Sequence, residues 1–174
     1  MDIIKRLIRN VPDFPQKGVG FKDITTLLKD PKAFNQTINK LCEPYLDSKV
    51  DMVAGIESRG FIFGGAAAVK LGAGFIPIRK KGKLPAETFC EEYALEYGTD
   101  TVEIHRDAIK NGMKVLLIDD LLATGGTAAA SIRLLKRLGG DIVGAAFLIE
   151  LGFLGGREQL FGVPLHILIN YEEE

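Results

Sequence analysis

The sequence predicts an α/β fold, a parallel sheet flanked by helices on both faces, and two observations carry that expectation. Short apolar runs at residues 52–56, 75–78, 115–118, 141–149 and 165–169 alternate with helical segments, the order that builds parallel crossovers. The run Val115-Leu116-Leu117-Ile118 is continuously apolar, as suits a strand covered on both faces. A third observation marks an exception to the parallel order. Residues 93–97 and 101–105 alternate polar and apolar about Gly98, which predicts a two-stranded antiparallel arm leaving the main sheet.

Taken in order, the chain opens on a short amphipathic helix with Ile3, Ile4, Leu7 and Ile8 on one stripe, packed on the body or on a partner subunit. Residues 10–20 are turn-rich, with Pro12, Pro15, Gly18 and Gly20. Asp30 is placed to cap a helix that Pro31 begins and that runs to about residue 46. The strand at 52–56 leads through Glu57-Ser58-Arg59-Gly60 into a helix over about 61–71. After the strand at 75–78 comes a basic loop from Arg79 to about Glu91, then the arm, then a strand and helix separated by a glycine turn. A strand at 141–149, a short helix near 154–160 and a last strand at 165–169 complete the chain before its Glu172-Glu173-Glu174 tail.

No linker, repeat or low-complexity stretch divides the 174 residues, so 1–174 reads as a single domain with room for a full core. A hydrophobic share of 47% against 26% charged is that of a soluble globular protein. The formal charge of −1 excludes nucleic-acid binding by bulk electrostatics, so any phosphate affinity must come from locally placed cations. Cys42 and Cys90 are too few for a disulfide framework and fit buried or incidental thiols in a reducing compartment. No apolar run reaches the roughly 18 residues of a membrane span, and the N-terminus lacks a secretory core. A cytoplasmic protein with no membrane partner is the expectation.

The chemistry concentrates in Ile118-Asp119-Asp120-Leu121-Leu122-Ala123-Thr124-Gly125-Gly126-Thr127. An apolar strand ends in two carboxylates, and a glycine turn then opens an amphipathic helix. The N-terminus of a helix offers free N–H groups and a positive dipole end to a phosphate, and glycines let backbone approach the anion closely. Thr124 and Thr127 add hydroxyl donors. Asp119 and Asp120 can accept from sugar hydroxyls or hold water on a bound magnesium. A Walker-type loop would need a lysine after its last glycine, and none stands there. Glu57-Ser58-Arg59-Gly60 lies at the same edge, where a glycine-flanked arginine before a helix suits a second anionic group. Arg79-Lys80-Lys81-Gly82-Lys83 puts four cations after the next strand. A charge run alone is most often a solvated loop, but this one falls where phosphates are expected and precedes a long glycine-bearing segment.

The 119–127 run resembles the phosphoribosyl-pyrophosphate (PRPP) motif of the type I phosphoribosyltransferases. Six further segments resemble the adenine-specific family within that group: Pro12-Asp13-Phe14-Pro15, 18–24, 58–61, 78–85, 95–98 and Gly156-Arg157-Glu158. The resemblance covers nearly the whole chain in order. It implies a Rossmann-like fold with a small N-terminal hood at about 1–30 and a flexible catalytic loop and arm at about 80–105. It implies AMP formation from adenine and PRPP in purine salvage, with release of pyrophosphate, Mg²⁺ carried by PRPP, no direct protein ligand to the metal, and a homodimer. Carried over, Asp119 and Asp120 face the ribose, and Ala123, Thr124, Gly125, Gly126 and Thr127 cradle the 5′-phosphate. Ser58, Arg59, Lys80 and Lys83 meet pyrophosphate, Glu96 is the loop acid and Tyr97 covers the site, with Glu96, Arg59 and Lys83 as the catalytic set. Adenine lies against Phe21 and Leu151 and is read by backbone groups of Gly20 and Lys22, positions where Val and Arg are commoner. Glu57 stands where the family usually has Asp. An oxopurine-specific enzyme and a PRPP-sensing regulator remain as alternatives; a regulator usually carries a DNA-binding domain or a basic face, which this chain lacks.

Overall fold

The structure is a computed structural model that describes residues 3–94 and 98–173. Its helices are α1 (Ile3–Arg6), α2 (Thr25–Leu28), α3 (Pro31–Cys42), α4 (Gly60–Leu71) and α5 (Gly126–Arg137). Its strands are β1 (Arg9–Val11), β2 (Phe21–Asp23), β3 (Met52–Ile56), β4 (Gly74–Lys80), β5 (Thr88–Ala94), β6 (Thr99–His105), β7 (Lys114–Leu122), β8 (Asp141–Leu151) and β9 (Leu165–Tyr171). Seven strands form one sheet in the order β5-β6-β4-β3-β7-β8-β9, and β1 and β2 form a separate antiparallel pair. The β3, β4, β7, β8 and β9 pairings are parallel, as expected from the alternation of strand and helix.

The period of two along the central strands explains why the sheet needs helices on both sides. Val53, Leu116, Ile118, Ala146 and Leu148 point into one core with Phe63 and Ala67 of α4 and Leu41 of α3. Ala54, Ile56, Val115, Leu117, Ala145 and Phe147 point into the other with Ala130, Leu134 and Leu135 of α5. Chain crossovers from β3 and from β7 therefore leave on opposite faces. The two strands are neighbours, so the gap between their carboxyl ends is a topological switch point, where open α/β sheets bind ligands.

Four boundaries differ from expectation, each for a local reason. Asp30 caps α3 by accepting from the N–H groups of Lys32 and Ala33, but α3 stops at Cys42 and a 3₁₀ turn, Glu43–Tyr45, follows. Pro44 within that turn has no N–H to continue an α-helical ladder. The arm strand begins at Thr88, inside the segment expected to be loop, because residues 88–94 pair with 99–105 across the hairpin. That arm does not leave the sheet: Arg79 pairs with Glu103 and Lys80 with Val102, making β6 a continuation of it. Finally, β7 does not end at the acidic pair. β8 runs far enough to pair with Leu121 and Leu122, so both aspartates lie within the strand.

Candidate active site

The glycine turn after β7 does what its composition predicts. Gly125 takes φ +84°, a left-handed conformation that suits glycine, and directly precedes α5. Among the described residues, no side chain caps α5. A pocket of about 80 Å³ opens here, lined by Asp119 and by every residue from 121 to 128. It has the parts an anion needs: helix N–H groups, the Thr124 and Thr127 hydroxyls, and glycine backbone.

The Glu57–Gly60 turn brings the second helix start to the same place. A β-carbon on Gly60 would lie 2.6 Å from Asp119 Oδ1, so only glycine lets α4 begin this close to the acidic pair. Arg59 then reaches across the switch point. Its Nε stands 2.9 Å from Asp120 Oδ2, an ion pair without hydrogen-bond alignment, and its guanidinium sits 5.0 Å from the centre of the Phe21 ring. Phe21 is also packed edge-on by Phe14, with ring centres 5.1 Å apart. One arginine thus links hood, acidic pair and second loop. Ser58 is exposed beside it.

The acidic pair is electrostatically strained. Asp119 Oδ1 accepts from the Asp120 N–H at 2.9 Å. Burial pushes the Asp119 carboxyl well above its ordinary value, the Asp120 charge adds to this, and Arg59 only partly offsets both. Burial likewise raises Asp120, against the pull of Arg59. A carboxyl raised in the folded state stabilises the fold at low pH and loses that contribution as pH rises through its folded value. Asp119→Asn keeps the acceptor and removes the loss. It is therefore expected to melt at a higher temperature than the parent at about pH 8, with the gap closing toward the ordinary carboxylate value of 3.8. Thermal melts across that range check this; a gap that stayed constant with pH would contradict it.

Other expected site residues fall into place differently. The Lys80 ammonium is held within the chain by Asp100 and by the Tyr93 hydroxyl, the latter at 2.8 Å, which together hold its pKa above the ordinary value despite partial burial. It is not free to meet a ligand without sharing those partners. Lys83 is exposed, while its N–H and that of Leu84 donate to Glu103 at 3.0 and 2.9 Å. The Lys22 side chain is engaged by Asn10 at 2.9 Å and by the Tyr171 ring at 4.5 Å. Gly20 immediately precedes β2. Leu151 ends β8 in the core that also holds Ile8 and Ile24, the residues bracketing the hood strands. Glu96 and Tyr97 lie outside the described residues.

Three pairings escaped sequence reasoning. Glu57 Oε2 accepts from Arg79 Nε and Nη2, both at 3.0 Å, and its Oε1 accepts from the Lys80 N–H, which ties the second loop to the end of β4. Asp100 and Glu103 organise the cationic loop from β6, as described. Glu150 binds Arg157 through both oxygens. The first two join residues about 20 positions apart in the chain, and the third joins residues seven apart across the end of β8.

Residues 25–153 match the phosphoribosyl transferase domain family. The adenine phosphoribosyltransferase of Cyanothece sp. is 58% identical over 168 residues, which cover 97% of this chain and 99% of the relative. The crystal structure of the Rhodothermus marinus adenine phosphoribosyltransferase matches with a TM-score of 0.93 at 54% identity, covering 97% of this chain and 96% of that one. The Saccharomyces cerevisiae adenine phosphoribosyltransferase, solved with adenine and an imino-altritol bisphosphate, matches with a TM-score of 0.90 at 40% identity, covering 95% and 96%.

Proposed function

Because the chain belongs to the adenine phosphoribosyltransferases, we propose that it joins N9 of adenine to C1 of PRPP, giving AMP and pyrophosphate in purine salvage. The observation that carries this reading is Arg59. It sits at the switch point and engages both the acidic pair and the hood aromatic, so sugar, leaving group and base would all converge on it.

In this reading the 123–127 turn holds the 5′-phosphate, and Asp119 and Asp120 accept from the ribose hydroxyls. Arg59, Ser58, Lys80 and Lys83 face the pyrophosphate, with Lys80 exchanging Asp100 for phosphate oxygens. The N9–C1 bond forms as the C1–O bond breaks, and the electron pair leaves with pyrophosphate. Cations aimed at that developing charge lower the barrier electrostatically. The N9 proton passes to Glu96, and Tyr97 covers the site. Adenine stacks on Phe21 with Leu151 behind it, and backbone groups of Gly20 and Lys22 read its edge.

Magnesium fits this site as a companion of PRPP. Two adjacent carboxylates offer hard oxygen donors, and Asp120 Oδ2 is buried without a hydrogen bond among the described residues. Asp119 and Asp120 would hold the ion through water. When bound, it would neutralise charge on the leaving pyrophosphate. The active unit in this reading is a homodimer.

Adenine, hypoxanthine, guanine, xanthine and orotate, each offered with PRPP and Mg²⁺ and the products resolved by chromatography, test the reading. Adenine is expected to be preferred over hypoxanthine by at least about 100-fold in kcat/KM, since an oxopurine would leave buried backbone groups mispaired at roughly 1–3 kcal/mol each. Comparable turnover of both purines would move the assignment to an oxopurine enzyme, and no turnover at all to a sensing protein.

A further inference from the structure

The phosphate turn does not stand alone. A β-carbon on Gly125 would fall 2.3 Å from the Gly156 carbonyl oxygen, and one on Gly156 would fall 2.0 Å from the Ala123 carbonyl oxygen. The cradle and the 3₁₀ turn Gly156–Leu160 therefore meet closely, backbone to backbone at Gly125 and Gly156, with the Gln159 β-carbon beside Gly125. The next residue ties that turn to β8. Arg157 Nε donates to Glu150 Oε1 at 2.7 Å and its Nη2 to Oε2 at 2.5 Å, a bidentate fork.

Glu150 is unusual for its place. It lies on β8, directly opposite Leu122 in register, and Leu122 is the last residue before the cradle. Only 1% of it is exposed. A carboxylate that dry must be paired, and the fork supplies the partner. Leu151, assigned to the base pocket, follows it in the chain. The Arg157 side chain, by contrast, is 57% exposed, so it can be changed without opening the core.

We propose that Glu150 and Arg157 are positioning residues for the 5′-phosphate: their ion pair docks Gly156 against Ala123 and Gly125 and so fixes the spacing of the N–H groups that meet the phosphate. This rests on the phosphoribosyl-transfer reading above. It acts on one half of the substrate only. Pyrophosphate is assigned to the Ser58–Arg59 loop and the lysines, across the switch point from the fork.

The test is calorimetric binding of ribose 5-phosphate and, separately, of Mg²⁺-pyrophosphate to the parent and to Arg157→Gln and Glu150→Gln. Arg157→Gln is expected to weaken ribose 5-phosphate about tenfold while pyrophosphate stays within about twofold, because a small misplacement of donors costs binding only where they act. Glu150→Gln should weaken the same ligand, since the guanidinium loses its anchor. Should Glu150→Gln fail to fold, Arg157→Gln alone decides. Unchanged ribose 5-phosphate binding, or equal weakening of both ligands, would reduce the pair to a general support and overturn the proposal. Tighter ribose 5-phosphate binding in Glu150→Gln would also overturn it, since a freed Arg157 would then be meeting the phosphate itself. A parent protein that bound neither ligand would instead remove the functional reading, and the inference with it.

Discussion

Gly125→Val is expected to lower kcat/KM for PRPP by at least about 10³-fold and to reduce the melting temperature while the sheet remains folded. Loss of one positioned donor to a developing or bound anion costs about 10²–10³-fold, and this change displaces several. Two independent effects act at the site. The residue has φ +84°, where a β-branched side chain is strained. Its β-carbon would also collide with the Gly156 carbonyl oxygen, so the cradle must move off the turn that supports it. The second effect separates local from general damage. Gly112 has a similar φ of +83°, but a β-carbon there would meet nothing within 4 Å, so Gly112→Val carries the strain without the collision. Circular dichroism, melting and steady-state assays of both variants check the claim. Gly112→Val should lose stability and keep activity; if Gly125→Val also kept its activity, the turn would not be the phosphate cradle.

Glu96→Gln is expected to slow AMP formation by about 10²–10⁴-fold, the contribution of a positioned acid–base group, with PRPP and adenine affinities nearly unchanged. Glutamine keeps the shape and some hydrogen bonding but takes up no proton at neutral pH. Product release limits many transferases and can hide a slowed chemical step, so the measurement is single-turnover AMP formation at saturating substrates. Among the described residues, Tyr93 pairs with Asp100 across β5 and β6 and lies beside Gly126 at the start of α5. A rate within about threefold of the parent would leave the site working by positioning and electrostatics alone.

The strand–turn–helix framework was the part of this site most legible in the sequence. The glycine turn, the acidic pair and the arginine before α4 are placed by local geometry, which short apolar runs and glycines announce. The same is true of the Asp30 cap and the central strands. What stayed hidden depends on contacts across the fold. β1 and β2 have only three residues each, too short for alternation to register, and β5 is a half-exposed strand whose Glu91-Glu92 pair reads as loop. The extension of β7 past its aspartates follows from the length of β8, a property of a neighbour and not of the strand itself. The attachments of Glu57 to Arg79 and Lys80 to Asp100 are set by sheet order, which juxtaposes charges that the sequence separates, while Glu150 meets Arg157 through the turn that follows β8.

The site also shows why a charge run is a poor guide to contacts. Of the cations in the 79–83 segment, Arg79 is spent on Glu57 and Lys80 on Asp100 and Tyr93, while Lys83 lies exposed. Burial and pairing, not abundance of charge, decide which of them is poised for a ligand.

The most direct measurement is a crystal structure of the protein with AMP bound. The account predicts the 5′-phosphate in the 123–127 turn, the ribose hydroxyls against Asp119 and Asp120, and the adenine ring on Phe21 with Arg59 at its edge. A phosphate bound away from that turn, or a base lying outside the hood, would contradict it.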